Sequence, residues 1–508
     1  MTSIWHDTSA RPTTDPLGEL PSRSDAIVAG AGIAGLVAAV ILSEAGLKVT
    51  LVEARTVAAL ATGNTTAKFS LLQGSQLSSV RRKRGHQIAA AYVEANRAGL
   101  DWTAAFCAAE GVAWQTRPAI NFATTRSGAR KVDEERAVAE ELGLPVETGG
   151  HHGLPFTVDN FFAVPGNGQV DPYELSIALV ARARRAGAKV VEGVTVTAAT
   201  QHKQHVEVQA TTGRGADLVS FSAGHLILAT GFPVLDRGLH FTRLTAHRSH
   251  LVSFRSERDV PTGMYLSMDS GGHSYRQFRR ADDDYLLVGG AGHQVGAPVS
   301  SRAGVDELIE HAHERFPGLT ETNRWAAQDY TNVDATPLVG PIDPRDDRIL
   351  AMTGFAKWGM TNGVAAAHDL AARILGERTE WMKTLYDRAP SAQGALGLVE
   401  RGAHTAARLT SEWGKALTHT DDSAPAEGEG RVRRDGVHPV ATSTVGGATR
   451  TVSAVCPHLG GVVVWNDESC SWDCPLHASR FEPDGTRIEG PATTGLASVE
   501  AGSSGDER

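Results

Sequence analysis

The chain has little cysteine: Cys107, Cys456, Cys470 and Cys474 are the only four in 508 residues. That excludes a disulfide framework as the source of its stability. No leader is expected either. The opening MTSIWHDTSARPTTDPLGEL has no basic segment followed by an apolar core, so no secretory signal is expected. Long apolar runs are absent as well. The longest, residues 26–42, is interrupted by Gly30, Gly32 and Gly35 and is too short for a membrane span. Positive charge is not in excess: the formal net charge is −9, which argues against nucleic acid or an anionic membrane as the main partner. These absences leave the cytoplasm as the expected compartment. Hydrophobic residues at 41% and charged residues at 21% suit a soluble globular chain, and the length suggests two or three domains.

What is present begins with DAIVAG at 25–30, an apolar run that predicts a short buried strand. Gly30-x-Gly32-x-x-Gly35 follows, then LVAAVILSEAGL with a helical period, then a second strand, KVTLVE, ending in Glu53. In such a strand–turn–helix–strand unit, Gly30 permits the tight turn. Gly32 lets the backbone approach a pyrophosphate, and Gly35 lets helix pack on strand. The helix N-terminus faces the phosphates. Glu53 can accept from a ribose hydroxyl, which favours FAD or NAD over a phosphorylated ribose.

Three later segments favour FAD. ARTVAALATGNTTAKFS (54–70) is rich in small and hydroxyl residues. HLILATGFP (225–233) reads as a return strand ending in Ala-Thr-Gly. ILAMTGFAKWGMTNGVAAAHDLAARIL (349–375) reads as a strand, a glycine-rich turn and a helix. That helix N-terminus can stabilise the flavin N1–C2=O edge, which turns anionic on reduction. With TPLVGPI (336–342), these motifs resemble the D-amino-acid-oxidase-like family of FAD-dependent oxidoreductases over residues 20–390. The resemblance implies an α/β FAD-binding domain, Rossmann-like and of the two-dinucleotide type, spanning 1–390. It also implies an α+β substrate domain inserted from about 110–165 and 240–325. It places Thr65, Thr66, Lys68, Gly231, Gly354, Gly359, Met360 and Thr361 beside FAD, with Gly30, Gly32, Gly35 and Glu53. Relatives that attach FAD covalently use a cysteine in the turn corresponding to 354–360; none stands there, so dissociable FAD is expected.

The C-terminal part carries Cys456-x-His458 and, fifteen residues on, Cys474-x-x-His477. A zinc site needs the same ligand types. Zinc fingers, however, pair Cys with Cys and His with His along the chain, whereas each loop here gives one of each. That interleaving suits a Rieske [2Fe-2S] cluster, with two thiolates on one iron and two imidazoles on the other. Residues from about 425 to 508, including HASRF (477–481), resemble Rieske domains. The expected module is a small all-β Rieske domain at 421–508, joined through a helical connector at 391–420. In relatives a serine at the position of Ser479 bonds a cluster sulfur and raises the potential. Respiratory Rieske proteins also close the two loops with a disulfide; the matching positions here are Gly461 and Leu476. No His-x₄-His occurs, so the mononuclear iron of a Rieske oxygenase is not expected. The whole arrangement, from SIWHDTS (3–9) to EGPATTGL (489–496), resembles a family of FAD oxidoreductases with a C-terminal Rieske domain.

Flavin oxidation of an amine or alcohol is hydride transfer from an oriented carbon. Residues 263–296 alternate as strands of the substrate domain, and Tyr265, Arg276 and His293 are candidates to face the flavin, Arg276 as a carboxylate clamp. Lys357 sits over the ring edge or is a solvated turn residue. The expected function is oxidation of a small amine or amino-acid-like molecule, with electrons passing through the cluster to an external protein or quinone. The alternatives are an electron-transfer protein supplying a partner oxygenase, and a redox sensor with structural cofactors.

Overall fold

The computed structural model describes residues 2–7, 11–213, 217–235, 237, 242–280, 282–297, 299–343, 345, 347–387, 413–414, 418, 423–436 and 438–499. Most of the expected connector helix at 391–420 lies outside them. Two compact units emerge, one from residues 1–292 and 305–396, the other from 293–304 and 397–508.

The first unit holds two eight-stranded sheets. In one, Arg23–Ala29 lies between Val49–Glu53 and Asp217–Leu228, parallel to both. Its core is apolar without alternation, because both faces are covered. The helices Ile33–Glu44 and Gly359–Leu375 pack on one face. The hairpin Val194–Gln201/Val206–Thr212 covers the other.

The second sheet runs, edge to edge, Leu319–Asn332, Leu244–Ser256, Asp283–Gln294, Ser274–Arg280, Met264–Ser267, Gln115–Ala123, Asn160–Gln169 and Lys68–Phe69. Side chains along its strands alternate between its two faces. Leu251, Met264, Leu287 and Trp325 join the core of the first sheet and its helices. Val252, Phe254, Tyr275 and Val288 pack instead with Val305, Leu308 and Ala312 of the helix Ser301–Arg315 and with Phe316 just after it.

The second unit is built from short antiparallel strands. Three of them, Gly430–Asp435, His438–Val445 and Ala448–Ser453, form one sheet, and four between Val464 and Glu489 form another. Ala441, Val452, Val463, Trp472 and Phe481 make its core. Trp413 packs against this core and donates to the Gly460 carbonyl at 3.0 Å. Among the described residues no helix is long and apolar enough to cross a membrane.

Candidate functional site

The glycine turn after the first strand is fixed by close approach. A Cβ on Gly30, whose φ is +107°, would lie 2.4 Å from the Ala229 carbonyl oxygen, and one on Gly35 would lie 1.9 Å from that of Gly30. Gly32 differs: only the Thr62 hydroxyl, at 3.1 Å, stands near its missing Cβ. The helix that follows has Gly32 as its N-cap, with no side-chain cap. Glu53 accepts from the Ala31 N–H through one oxygen and from the Arg55 N–H through the other, both at 2.8 Å. A carboxylate oxygen keeps further acceptor capacity after one such bond. The Ile33 N–H already donates to the Thr62 hydroxyl at 2.9 Å; the glycine-lined turn, the remaining N–H groups of the helix start and the fixed carboxylate fit the pyrophosphate and ribose of a dinucleotide.

The second helix start lacks even such a partner among the described residues. Helix Gly359–Leu375 has no side-chain cap, and Met360 and Thr361 are buried. The turn before it carries Gly354 at φ +76° and two consecutive left-handed residues, Ala356 and Lys357. Three ties to strand Leu319–Asn332 hold this strained turn. Phe355 bridges Thr331, the Ala356 N–H donates to the Tyr330 carbonyl, and the Lys357 N–H donates to Asp329. A buried polar net backs the helix. Gln73 donates to Thr361 and Asn96 and accepts from Tyr92, and Asn362 donates to Tyr92. The sequence gives no signal for Gln73, Tyr92, Asn96 or Asp329, because these contacts join distant segments. Gly231, at φ +73°, accepts from the Thr353 hydroxyl.

The sheet register separates the candidates for the substrate face. Met264, Arg276 and Leu287 are cross-strand partners on one side; Tyr265, Tyr275 and Val288 are partners on the other. Tyr265 therefore points into the cluster beneath helix Ser301–Arg315 rather than to the face of Arg276. Burial pushes its phenol up to about 12. It lines an open cavity of about 730 Å³ with His151, His152, Phe156 and Val260. Arg276 is on the expected face, but its fork is occupied. One terminal nitrogen donates to the Thr66 carbonyl, the other to that of Val170 at 2.9 Å, and the guanidinium lies 5.2 Å from the Trp5 ring centre. Lys68 is buried and donates to the Tyr265 carbonyl at 2.9 Å. Burial, and then the charge of Arg276, lower its pKa to about 7. His293 is the last residue but one of strand Asp283–Gln294 and groups with the second unit.

At the turn the Asp329 carboxylate accepts from the Lys357 main-chain N–H, and the two side-chain charges feel each other's field. Surrounding protein lowers the Lys357 pKa, opposed by the field of Asp329. Burial raises the Asp329 carboxyl to about 6, against the N–H donors of Lys357 and Tyr330. A Cβ built on Gly292 would meet the Lys357 Nζ at 3.1 Å and the Ser249 hydroxyl at 3.2 Å. Glycine at 292 thus leaves the ammonium its space.

In the second unit Cys456 and Cys474 are buried side by side. A hydrogen bond with Cys474, the N–H groups of His458 and Leu459 and the hydroxyl of Ser479 pull Cys456 down to about 7. Cys474 moves up, through the same bond and burial. Ser479 is held in place by the Ala492 N–H at 2.9 Å. The rings of His458 and His477 stand 5.1 Å apart at 87°, and burial lowers His477 to about 3. Two adjacent thiols beside two adjacent imidazoles suit two irons with two protein ligands each. The loops meet without a covalent staple: a Cβ on Gly461 would lie 2.8 Å from Leu476 Cδ1 and 3.0 Å from Cys474 Sγ. Cys107 and Cys470 are free thiols.

Known proteins match both halves. Residues 25–373 match the family model described as FAD dependent oxidoreductase, and residues 416–500 the one described as Rieske [2Fe-2S] domain. YhfW of Bacillus subtilis (strain 168), whose name calls it a Rieske 2Fe-2S iron-sulfur protein, is 27% identical over 98% of this chain and 97% of its own. The cytochrome b6-f complex iron-sulfur subunit of Trichodesmium erythraeum (strain IMS101) is 43% identical over 11% of this chain and 31% of its own length. Among solved structures, glycine oxidase from Geobacillus kaustophilus superposes with a TM-score of 0.59 at 17% identity, covering 71% of this chain and 96% of that one. L-proline dehydrogenase from P. horikoshii gives 0.61 at 17%, covering 72% and 97%. These two show a shared fold.

Proposed function

The chain belongs to the FAD dependent oxidoreductase family and carries a Rieske [2Fe-2S] domain, and we propose that it oxidises a small amine or amino-acid-like substrate and passes the electrons through its cluster to an external acceptor. It is an FAD-dependent oxidoreductase whose cofactors are FAD and a [2Fe-2S] cluster. When bound, FAD supplies hydride acceptance from a substrate carbon, and the cluster supplies one-electron transfer. The reading is carried by one observation: a two-electron site and a one-electron site occur in the same chain.

The chain's own residues take the following parts. Gly30, Gly32, Gly35 and Glu53 hold the dinucleotide end, and the bare start of helix Gly359–Leu375 offers N–H groups to the flavin edge. Asp329 and Lys357 present opposite charges close together, which suits a substrate bearing both an ammonium and a carboxylate. Lys357 orients the carboxylate, and Asp329 takes the proton that the amine loses before its carbon can give up hydride. The amino-acid substrates named in the glycine oxidase and L-proline dehydrogenase structures support this class. Arg276 is assigned no part in substrate binding in this reading, because both its terminal nitrogens donate to main-chain carbonyls. Cys456, His458, Cys474 and His477 hold the cluster, and Ser479 tunes it.

The test is stopped-flow mixing of the anaerobic holoprotein with a panel of amines, amino acids and alcohols, following flavin and cluster bands separately. An amine or amino acid should bleach the flavin, and cluster reduction should follow within a turnover. A cluster that stays oxidised while oxygen alone restores the flavin at the full catalytic rate overturns the reading.

A further inference from the structure

Four consecutive carbonyls in the loop after Glu53 are each held by a side chain from a distant segment. The Ser3 hydroxyl donates to Gly63 at 2.5 Å. The Trp325 indole donates to Asn64 at 2.9 Å and the Trp5 indole to Thr65 at 2.8 Å. Arg276 donates to Thr66. All four donors are buried, none more than 2% exposed. They come from the N-terminal segment, from strand Leu319–Asn332 and from strand Ser274–Arg280. Buried carbonyls need a partner, but one turn can satisfy several of them locally. Four separate long-range donors fix the position of the loop as well as its polarity.

The donors also brace one another. Trp5 lies under the Arg276 guanidinium and packs against Phe278 at 5.0 Å between ring centres. Arg280 donates to the Ile4 carbonyl at 2.9 Å. Gly63 accepts no larger residue, because its Cβ would meet the Ala58 carbonyl oxygen at 2.2 Å as well as His6 Nε2 at 2.4 Å. With the carbonyls engaged, the amides of Thr65 and Thr66 are the loop's unused donors: neither makes a hydrogen bond among the described residues. Thr62, just before this loop, already touches the glycine turn through its hydroxyl on the Ile33 N–H.

We propose that Ser3, Trp5, Trp325 and Arg276 are positioning residues of the FAD site, holding the 63–66 carbonyls so that the Thr65 and Thr66 amides face electron-rich groups of the cofactor. The N-terminal segment is then part of the flavin cage, and Arg276 joins the cofactor loop to the substrate sheet. This role does not depend on which substrate is oxidised.

The full-length holoprotein tests it with Trp5→Phe, which keeps an aromatic ring and deletes one donor, and Arg276→Met. FAD dissociation is read from the fluorescence of released flavin, and loop geometry from the visible circular dichroism of flavin still bound. Cluster content by EPR serves as the control. Trp5→Phe should raise the FAD dissociation constant about tenfold and Arg276→Met about a hundredfold. Both should alter the flavin dichroism at unchanged cluster content, and Arg276→Lys should restore part of the loss. If Arg276→Met does not fold, Trp5→Phe and Ser3→Ala decide the matter. Unchanged FAD affinity overturns the proposal. So does a lowered melting temperature with unaltered dichroism, because general destabilisation would leave bound flavin in its native surroundings.

Discussion

Between Cys456 and His477, four side chains of the second unit are proposed to bind the cluster themselves, whereas the flavin cradle proposed in the first unit relies mostly on its main chain. There, Gly30 and Gly35 matter for the Cβ atoms they lack. The Thr65 and Thr66 carbonyls are held by Trp5 and Arg276, and the start of helix Gly359–Leu375 offers uncapped N–H groups. A metal ligand cannot be replaced by shape, and a shaped backbone cannot be replaced by one side chain. The cluster site should therefore fail all at once, and the flavin site by degrees.

The largest effect expected is complete loss of the cluster in Cys456→Ser or His477→Ala. Iron analysis and EPR should show none, while FAD remains bound and substrate still bleaches it. Flavin lost together with the cluster would break the comparison, since the two units have separate cores. Next comes Gly35→Ala. Its new Cβ would lie 1.9 Å from a main-chain oxygen, which cannot move without the turn, and a cost upward of about 4 kcal/mol is expected. FAD should be absent from the purified variant and the cluster signal intact.

A pH effect sharpens the contrast further. Glu135 is fully buried and accepts from the Leu77 and Ser78 N–H groups. Burial nevertheless raises its pKa from 4.5 to about 7. Its folded value lies above its unfolded one, so its stabilisation is full below about 4.5 and is lost as pH rises through about 7. The first unit should be less stable at pH 7.5 than at pH 4.5, by at most about 3 kcal/mol from this group. Glu135→Gln should flatten that dependence in urea melts followed by flavin release.

The smallest effect is that of Ser479→Ala. Loss of one hydroxyl donor to the Cys456 sulfur removes about 1 kcal/mol, or roughly 40 mV for one electron, so the cluster potential falls. A redox titration followed by EPR checks it, and an unchanged or raised potential would show the hydroxyl directed elsewhere.

The same contrast explains what could be read from the residues alone. The glycine turn with Glu53, and the two Cys/His loops, are local patterns, so both cofactors and the α/β fold with its small β-rich module were legible. The substrate face was not. Tyr265 and Arg276 lie in one run of alternating strands, and their directions depend on a cross-strand register that pairs Met264 with Arg276. No spacing within residues 263–296 discloses it. Arg276 reads as a carboxylate clamp because arginine commonly serves so; its engagement by Thr66 and Val170 comes from segments more than 100 residues away. Asp329, proposed above to take the amine proton, gives no signal in the residues for a similar reason, since the Lys357 N–H reaches it only through a left-handed turn.

The contact between Gly461 and Leu476 has a consequence for where such a cluster can be assembled. A disulfide across these loops would make closure depend on the thiol poise of the compartment, and glutathione or dithiothreitol could open it. Here a leucine side chain packs into the space that glycine leaves, and van der Waals contact has no reduction potential. The loops should close equally well before and after the surroundings turn reducing, and after millimolar dithiothreitol is removed and the protein re-oxidised, the iron content and the oxidised cluster spectrum should be unchanged.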